Sequence, residues 1–101
     1  MHSRLTLHEE LVAILGSRYV YFQPPESVKM NYPCIVYERR DIDNMHADDM
    51  PYLQPVRYRV IVIDRDPDSQ IVVKMSQFKT ANYLNHYVAN ELNHDTFEIF
   101  Y

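Results

Sequence analysis

The sequence predicts an α+β domain: a mixed, mostly antiparallel sheet of about four or five strands with two helices packed on one side. Three observations lead there. The run Tyr58–Asp64, Tyr-Arg-Val-Ile-Val-Ile-Asp, is mostly apolar and β-branched and closes on the turn-formers Asp64–Ser69, the pattern of a central strand feeding a helix. Two stretches, near Leu7–Leu15 and Ile71–Phe78, repeat their apolar residues at helical spacing. The remaining strand-like runs are neighbours in sequence, which favours antiparallel or mixed pairing over a wholly parallel sheet.

Taken in order, Thr6-Leu7-His8-Glu9 reads as a capping box that opens a helix of about two and a half turns, with Leu7, Leu11, Ile14 and Leu15 on one stripe. Gly16, the only glycine, is placed to end it in a left-handed conformation. Tyr19–Phe22 is a short strand stopped by Pro24 and Pro25, and Glu26–Asn31 has no period and reads as a loop. A second strand starts after Pro33, runs through Cys34–Glu38 and continues toward Ile42. The stretch Asp41–Pro55 has neither a helical nor a strand period. A segment of that length without structure of its own tends to be mobile or functional, so it is the predicted interaction loop.

The central strand enters at Val56 or Arg57, with Tyr58, Val60 and Val62 on one face and Arg57, Arg59, Ile61 and Ile63 on the other. Asp66 or Ser69 caps the next helix, of about three turns, whose stripe is Ile71, Val72, Met75 and Phe78. Alternation then returns over Tyr83–Val88, a turn is expected at Asn90–Asp95, and Thr96–Tyr101 closes a hairpin with Phe97, Ile99 and Tyr101 on one face. The element order is α-β-β-β-α-β-β, in one domain over residues 1–101.

Composition narrows the function. Ten Lys and Arg against fourteen Asp and Glu give a net charge of −4, which disfavours gripping nucleic acid by phosphate neutralisation. Nine Tyr against four Phe and no Trp supply surfaces that are half apolar and half hydrogen-bonding, suited both to sheets and to interfaces. Cys34 is the only cysteine, so no internal disulfide forms, and its neighbours in Pro-Cys-Ile-Val predict a buried thiol. No apolar run approaches the ~20 residues of a membrane span, and Glu9 and Glu10 interrupt the N-terminal apolar segment, so a cytosolic chain is expected.

Candidate chemistry is sparse. His46, Asp48 and Asp49, with His86, His94 and Asp95 further on, have donor atoms for a divalent ion. Their spacings match no zinc or hydrolase signature, and solvated loop carboxylates explain them as well. A small metal-dependent hydrolase or nuclease using His46, Asp48, Asp49 and His94 is the alternative of a different class. His94-Asp95 reads as part of a turn more readily than as a base pair for proton transfer. One glycine excludes a glycine-rich nucleotide loop, and neither Ser69 nor Cys34 has a recognisable general base. No catalytic, cofactor or metal residue is therefore assigned.

Four stretches together resemble the small tail-terminator or tail-completion proteins of long-tailed bacteriophages and prophages. They are Tyr21-Phe22-Gln23-Pro24-Pro25, Tyr32-Pro33-Cys34-Ile35-Val36-Tyr37, the segment Tyr58–Ser69, and Leu92-Asn93-His94-Asp95-Thr96-Phe97. Asp41–Tyr52, with Asp43-Asn44 and Ala47-Asp48, is similar to that family's loop before the central strand. The resemblance implies a structural, non-enzymatic role without cofactors. Such proteins cap the growing tail tube, usually as a hexameric ring, and join it through a head-closure or connector protein to the DNA-filled head. DNA only passes through the channel, and an acidic lining lets it slide. The implied location is the virion, at the head–tail junction, and the host cytoplasm during assembly; a head-closure adaptor is the neighbouring alternative. The contact residues expected on this reading are Asp41, Asp43, Asp48, Asp49 and Tyr52 in the loop, with Arg57 and Arg59 at the start of the central strand, the acidic loop and basic strand complementing each other between subunits.

Overall fold

Helix α1 (Arg4–Leu15) begins where Ser3 turns the chain: the Ser3 hydroxyl accepts from the Leu5 N–H at 3.1 Å, while its carbonyl accepts from Thr6 and Leu7. The start lies three residues before the expected cap at Thr6, which is exposed within the first turn. Both residues are good caps, and the earlier one lets Arg4 reach Phe22 and Tyr37 across the core. The buried stripe is Leu7, Leu11 and Leu15, with Ile14 packed at its margin. Gly16 ends the helix at φ 82°, its N–H donating to the Val12 carbonyl, as its position predicted.

The computed structural model describes residues 3–42 and 56–101. Its strands are β1 (Val20–Phe22), β2 (Cys34–Ile42), β3 (Val56–Asp64), β4 (Asn82–Ala89) and β5 (Leu92–Phe100), and the second helix is α2 (Gln70–Ser76). They form one mixed sheet in the order β1-β2-β3-β5-β4, parallel between β1 and β2 and antiparallel elsewhere. The strand expected to be central is central: β3 pairs with β2 and β5, with Val60 between Tyr37 and Phe97.

One face of this sheet carries the core. Ile35 and Tyr37 from β2, Tyr58, Val60 and Val62 from β3, and Phe97 and Ile99 from β5 meet Leu7 and Leu11 from α1 and Met75 from α2 in a single cluster. Burying a side chain of this size contributes about 1.5–3 kcal/mol, so this layer dominates stability. Polar groups inside it are matched. The Tyr37 hydroxyl, fully buried, accepts from Arg4 Nη1 at 3.1 Å and shares a 2.8 Å hydrogen bond with His8 Nδ1, tying α1 to the sheet.

Helix α2 is shorter than its apolar spacing predicts. Ser69 caps it, accepting from the Ile71 N–H, but the helix closes after Ser76 through tighter bonds from Gln77 to Lys74 and from Phe78 to Met75. Phe78 still packs on the core from beyond the helix, its ring 6.2 Å from that of Tyr101. The second hairpin also differs. Its turn is the pair Asn90-Glu91, at φ 52° and 64°, and β5 is already formed at Leu92. Positive φ at both positions is the signature of a type I′ turn, whose twist suits a two-residue hairpin. His94 and Asp95 thus lie in a strand, not in a turn. Among the described residues no helix is long and apolar enough to cross a membrane.

Candidate interaction surface

Strand alternation sends Tyr58, Val60 and Val62 into the core and Arg57, Arg59 and Ile61 to the opposite face, which the helices leave open. On that face the register places Arg59 directly between Glu38 of β2 and Glu98 of β5. Arg57, at the end nearer the β2–β3 connection, is opposite Asp41. Its Nε donates to Asp41 Oδ1 at 2.8 Å, its Nη2 bonds the other carboxylate oxygen, and Nη1 lies 3.7 Å from Glu98. The two-pronged geometry fixes the planes of both groups, although such exposed pairs contribute only about 0–1 kcal/mol.

Within the chain Asp41 and Arg57 pair with each other, because antiparallel pairing sets them side by side across β2 and β3. The structure brings Asp41, Arg57 and Arg59 onto one end of the sheet. Asp43, Asp48, Asp49 and Tyr52, and the candidate ligand His46, lie outside the described residues.

Arg59 differs from Arg57. The glutamates beside it are engaged elsewhere, Glu38 with Arg40 at 3.4 Å and Glu98 with Arg57. Among the described residues the Arg59 side chain makes no hydrogen bond or ion pair, and its Nε is buried without an acceptor. Beside it a half-open cavity of about 250 Å³ is walled by Pro24, Val36 and Ile61, with Gln23 and Glu38 at the polar side. Gln23 is held in place by three features: a φ of 44°, its N–H donating to the Tyr37 carbonyl, and its Oε1 accepting from the Arg39 N–H.

The hairpin β4–β5 supplies a second surface. Every residue of β4 from Asn82 to Val88 is exposed, and among the described residues β4 has β5 on one side and no strand on the other. Tyr83, Leu84, Tyr87 and Val88 are 40–61% exposed, high for large apolar side chains in a regular strand. A register shift between Tyr83 and Asn85 is the only interruption in its pairing with β5. The sequence shows the alternation of Tyr83, Asn85 and Tyr87 against Leu84, His86 and Val88; what marks an edge is that both sets mix polar with apolar residues, so that neither makes a core face.

Among the described residues, His94 and Asp95 do not form a proton-transfer pair. Consecutive residues of a strand point to opposite faces, so His94 and Asp95 cannot pair. His94 Nδ1 lies 3.0 Å from the Leu92 carbonyl, to which it donates, and its ring stacks on Tyr87 with centroids 4.6 Å apart. Asp95 instead accepts from the Tyr83 hydroxyl at 2.8 Å. Partial desolvation, then the hydrogen bond to Asp95 and its charge, push the Tyr83 phenol upward from its ordinary value. Among the described residues no three His, Cys, Asp or Glu side chains converge in a manner suited to a metal ion. Cys34 is buried, and burial first, the nearby Asp64 charge second, push its thiol up to about 12, the opposite of what a nucleophile requires.

No protein-family model, curated protein or solved structure matches the chain.

Proposed function

We propose that the chain is a structural assembly protein, acting through contacts with copies of itself and with neighbouring proteins rather than by catalysis. More particularly, it is a tail terminator of a long-tailed phage or prophage, a ring that stops growth of the tail tube and presents the surface joined to the head, with DNA passing through its channel. The motif resemblance set out above motivates the particular reading.

The observation that carries the general one is β4. Sheet edges in isolated proteins are blunted by charge, proline or brevity, since unpaired backbone groups recruit other chains. β4 is eight residues long, contains no Asp, Glu, Lys, Arg or Pro, and displays two tyrosines, a leucine and a valine to solvent. Such an edge is covered in the working assembly. The test is the mass in solution over a concentration series at low and high salt. The ring reading expects a species near about six times 12.1 kDa, reduced to monomer by Tyr87→Lys with Val88→Lys while the circular-dichroism spectrum stays unchanged. A strict monomer at all concentrations, with added tail-tube protein failing to recruit it, refutes the proposal.

A further inference from the structure

We infer that β4 pairs antiparallel with β4 of a second copy of this chain, about a two-fold axis at Tyr87, so that two five-stranded sheets join edge to edge. The inference rests on the general reading above, that the chain acts through contacts with copies of itself, and names one such contact and its geometry.

Among the described residues the sheet has two edges, and they are built differently. β1 is three residues long, is followed closely by Pro24 and Pro25, and covers β2 only from Ile35 to Tyr37. Past Tyr37 the outer side of β2 is blunted: the run Glu38-Arg39-Arg40-Asp41 is charged, its register shifts between Arg39 and Asp41, and the Gln23 side chain accepts from the Arg39 N–H at 3.2 Å. A β4 edge laid against that side of a neighbour meets charge, an irregular register and a donor already used. Laid against another β4, it meets no charged side chain.

Charge selects a second copy as the occupant. At a net charge of −4 two copies repel on average, so they meet best where neither carries charge. Among the described residues β4 is the only strand longer than three residues without Asp, Glu, Lys or Arg. Such a strand has no means of choosing a foreign strand by charge, whereas a second copy always brings the same neutral one. Because one edge serves both copies, the contact is isologous and closes at two, with the helices of both on the same side of the joined sheet. The shift between Tyr83 and Asn85 interrupts the strand; the regular remainder, Asn85–Ala89, is centred on Tyr87, whose ring is already stacked on His94. So short a seam buries well under the ~1,200 Å² of a stable complex, which makes the pair transient, with a Kd between about 10 μM and 1 mM.

The experiment is electron-spin dipolar spectroscopy on the whole chain at about 1 mM, the upper end of that Kd range, with a nitroxide on Asn82→Cys, Asn85→Cys or Val88→Cys, one variant at a time. All three positions are exposed, and Cys34 is buried from the label. Across a two-fold axis each residue of separation adds about 7 Å between identical labels, so the distance is expected to be shortest at position 88 and roughly 20 Å longer at 82 than at 85. Adding Tyr87→Lys with Val88→Lys to the Asn85→Cys chain is expected to abolish the signal. Equal distances at all three positions, or a species heavier than the monomer without dipolar contact between identical labels, would overturn the inference and leave the assembly reading standing. A monomer at this concentration would overturn it as well, and the assembly reading would then rest on recruitment by tail-tube protein. The expected distances with no species beyond the dimer would support the inference and refute the six-membered ring alone.

Discussion

The thiol of Cys34 makes the folded protein sensitive to base by an amount that can be worked out. Burial and the Asp64 charge raise it from an ordinary value of 9.0 to about 12, so the folded chain holds this proton more tightly than the unfolded one. The resulting stabilisation is complete below the unfolded value and is lost as pH rises toward the folded value. At about pH 10 the unfolded thiol is mostly ionised and the folded one is not, which removes about 1.4 kcal/mol; at about pH 8 the loss is below about 0.1 kcal/mol. Tyr37, Tyr58, Tyr83 and Tyr101 are raised as well, so the wild-type curve alone does not isolate the cysteine. The assay is urea unfolding at both pH values for the wild type and Cys34→Ala. The variant is less stable at neutral pH through its lost packing, but its loss between the two pH values is smaller by about 1.4 kcal/mol. Equal pH dependence in the two proteins would refute the reasoning.

Two other substitutions test the fold. Tyr37→Phe leaves Arg4 and His8 without the buried hydroxyl between them and is expected to cost about 1–3 kcal/mol in urea unfolding; a change near zero would mean that this link between α1 and β2 does not hold the helix. Glu91→Gly removes the Cβ from a residue at φ 64° in the two-residue turn and is expected to stabilise the hairpin by about 1 kcal/mol, raising the melting temperature by several degrees. A lowered melting temperature would contradict the assigned turn.

The elements readable in advance were those decided by local chemistry. β3 announces itself by a β-branched run, Gly16 by being the only residue free to take a left-handed conformation without strain, and Ser69 by standing one residue before α2. Where two local signals are equally good, the core decides. Ser3 prevails over Thr6 as the cap of α1, and the contacts of Arg4 with Phe22 and Tyr37 that accompany it join residues far apart in sequence. The second turn is hidden for a different reason: Glu91 is an unusual occupant of a left-handed position, while Asn93-His94-Asp95 has the composition of a turn but the geometry of a strand. Of the interaction residues, Arg57 and Arg59 stand out as basic positions on an otherwise apolar strand. Their unequal fates follow from register, which sets Arg57 against Asp41 and leaves Arg59 between two glutamates committed elsewhere; no pattern within one strand reveals that.

The position of β5 also governs how the chain is made. It follows every other element in sequence, yet it lies between β3 and β4. While the chain is being synthesised, β2 and β3 can pair as soon as both have emerged, but one side of β3, from Arg57 to Asp64, stays unpaired until residues 93–100 arrive. Synthesis at about 5–20 residues per second makes that interval a matter of seconds, long against the microseconds in which a hairpin forms. During it the nascent chain displays the very strand around which its sheet is built. Premature self-association at the open side of β3 is therefore a hazard of high expression, and slower synthesis at low temperature does not shorten the exposure.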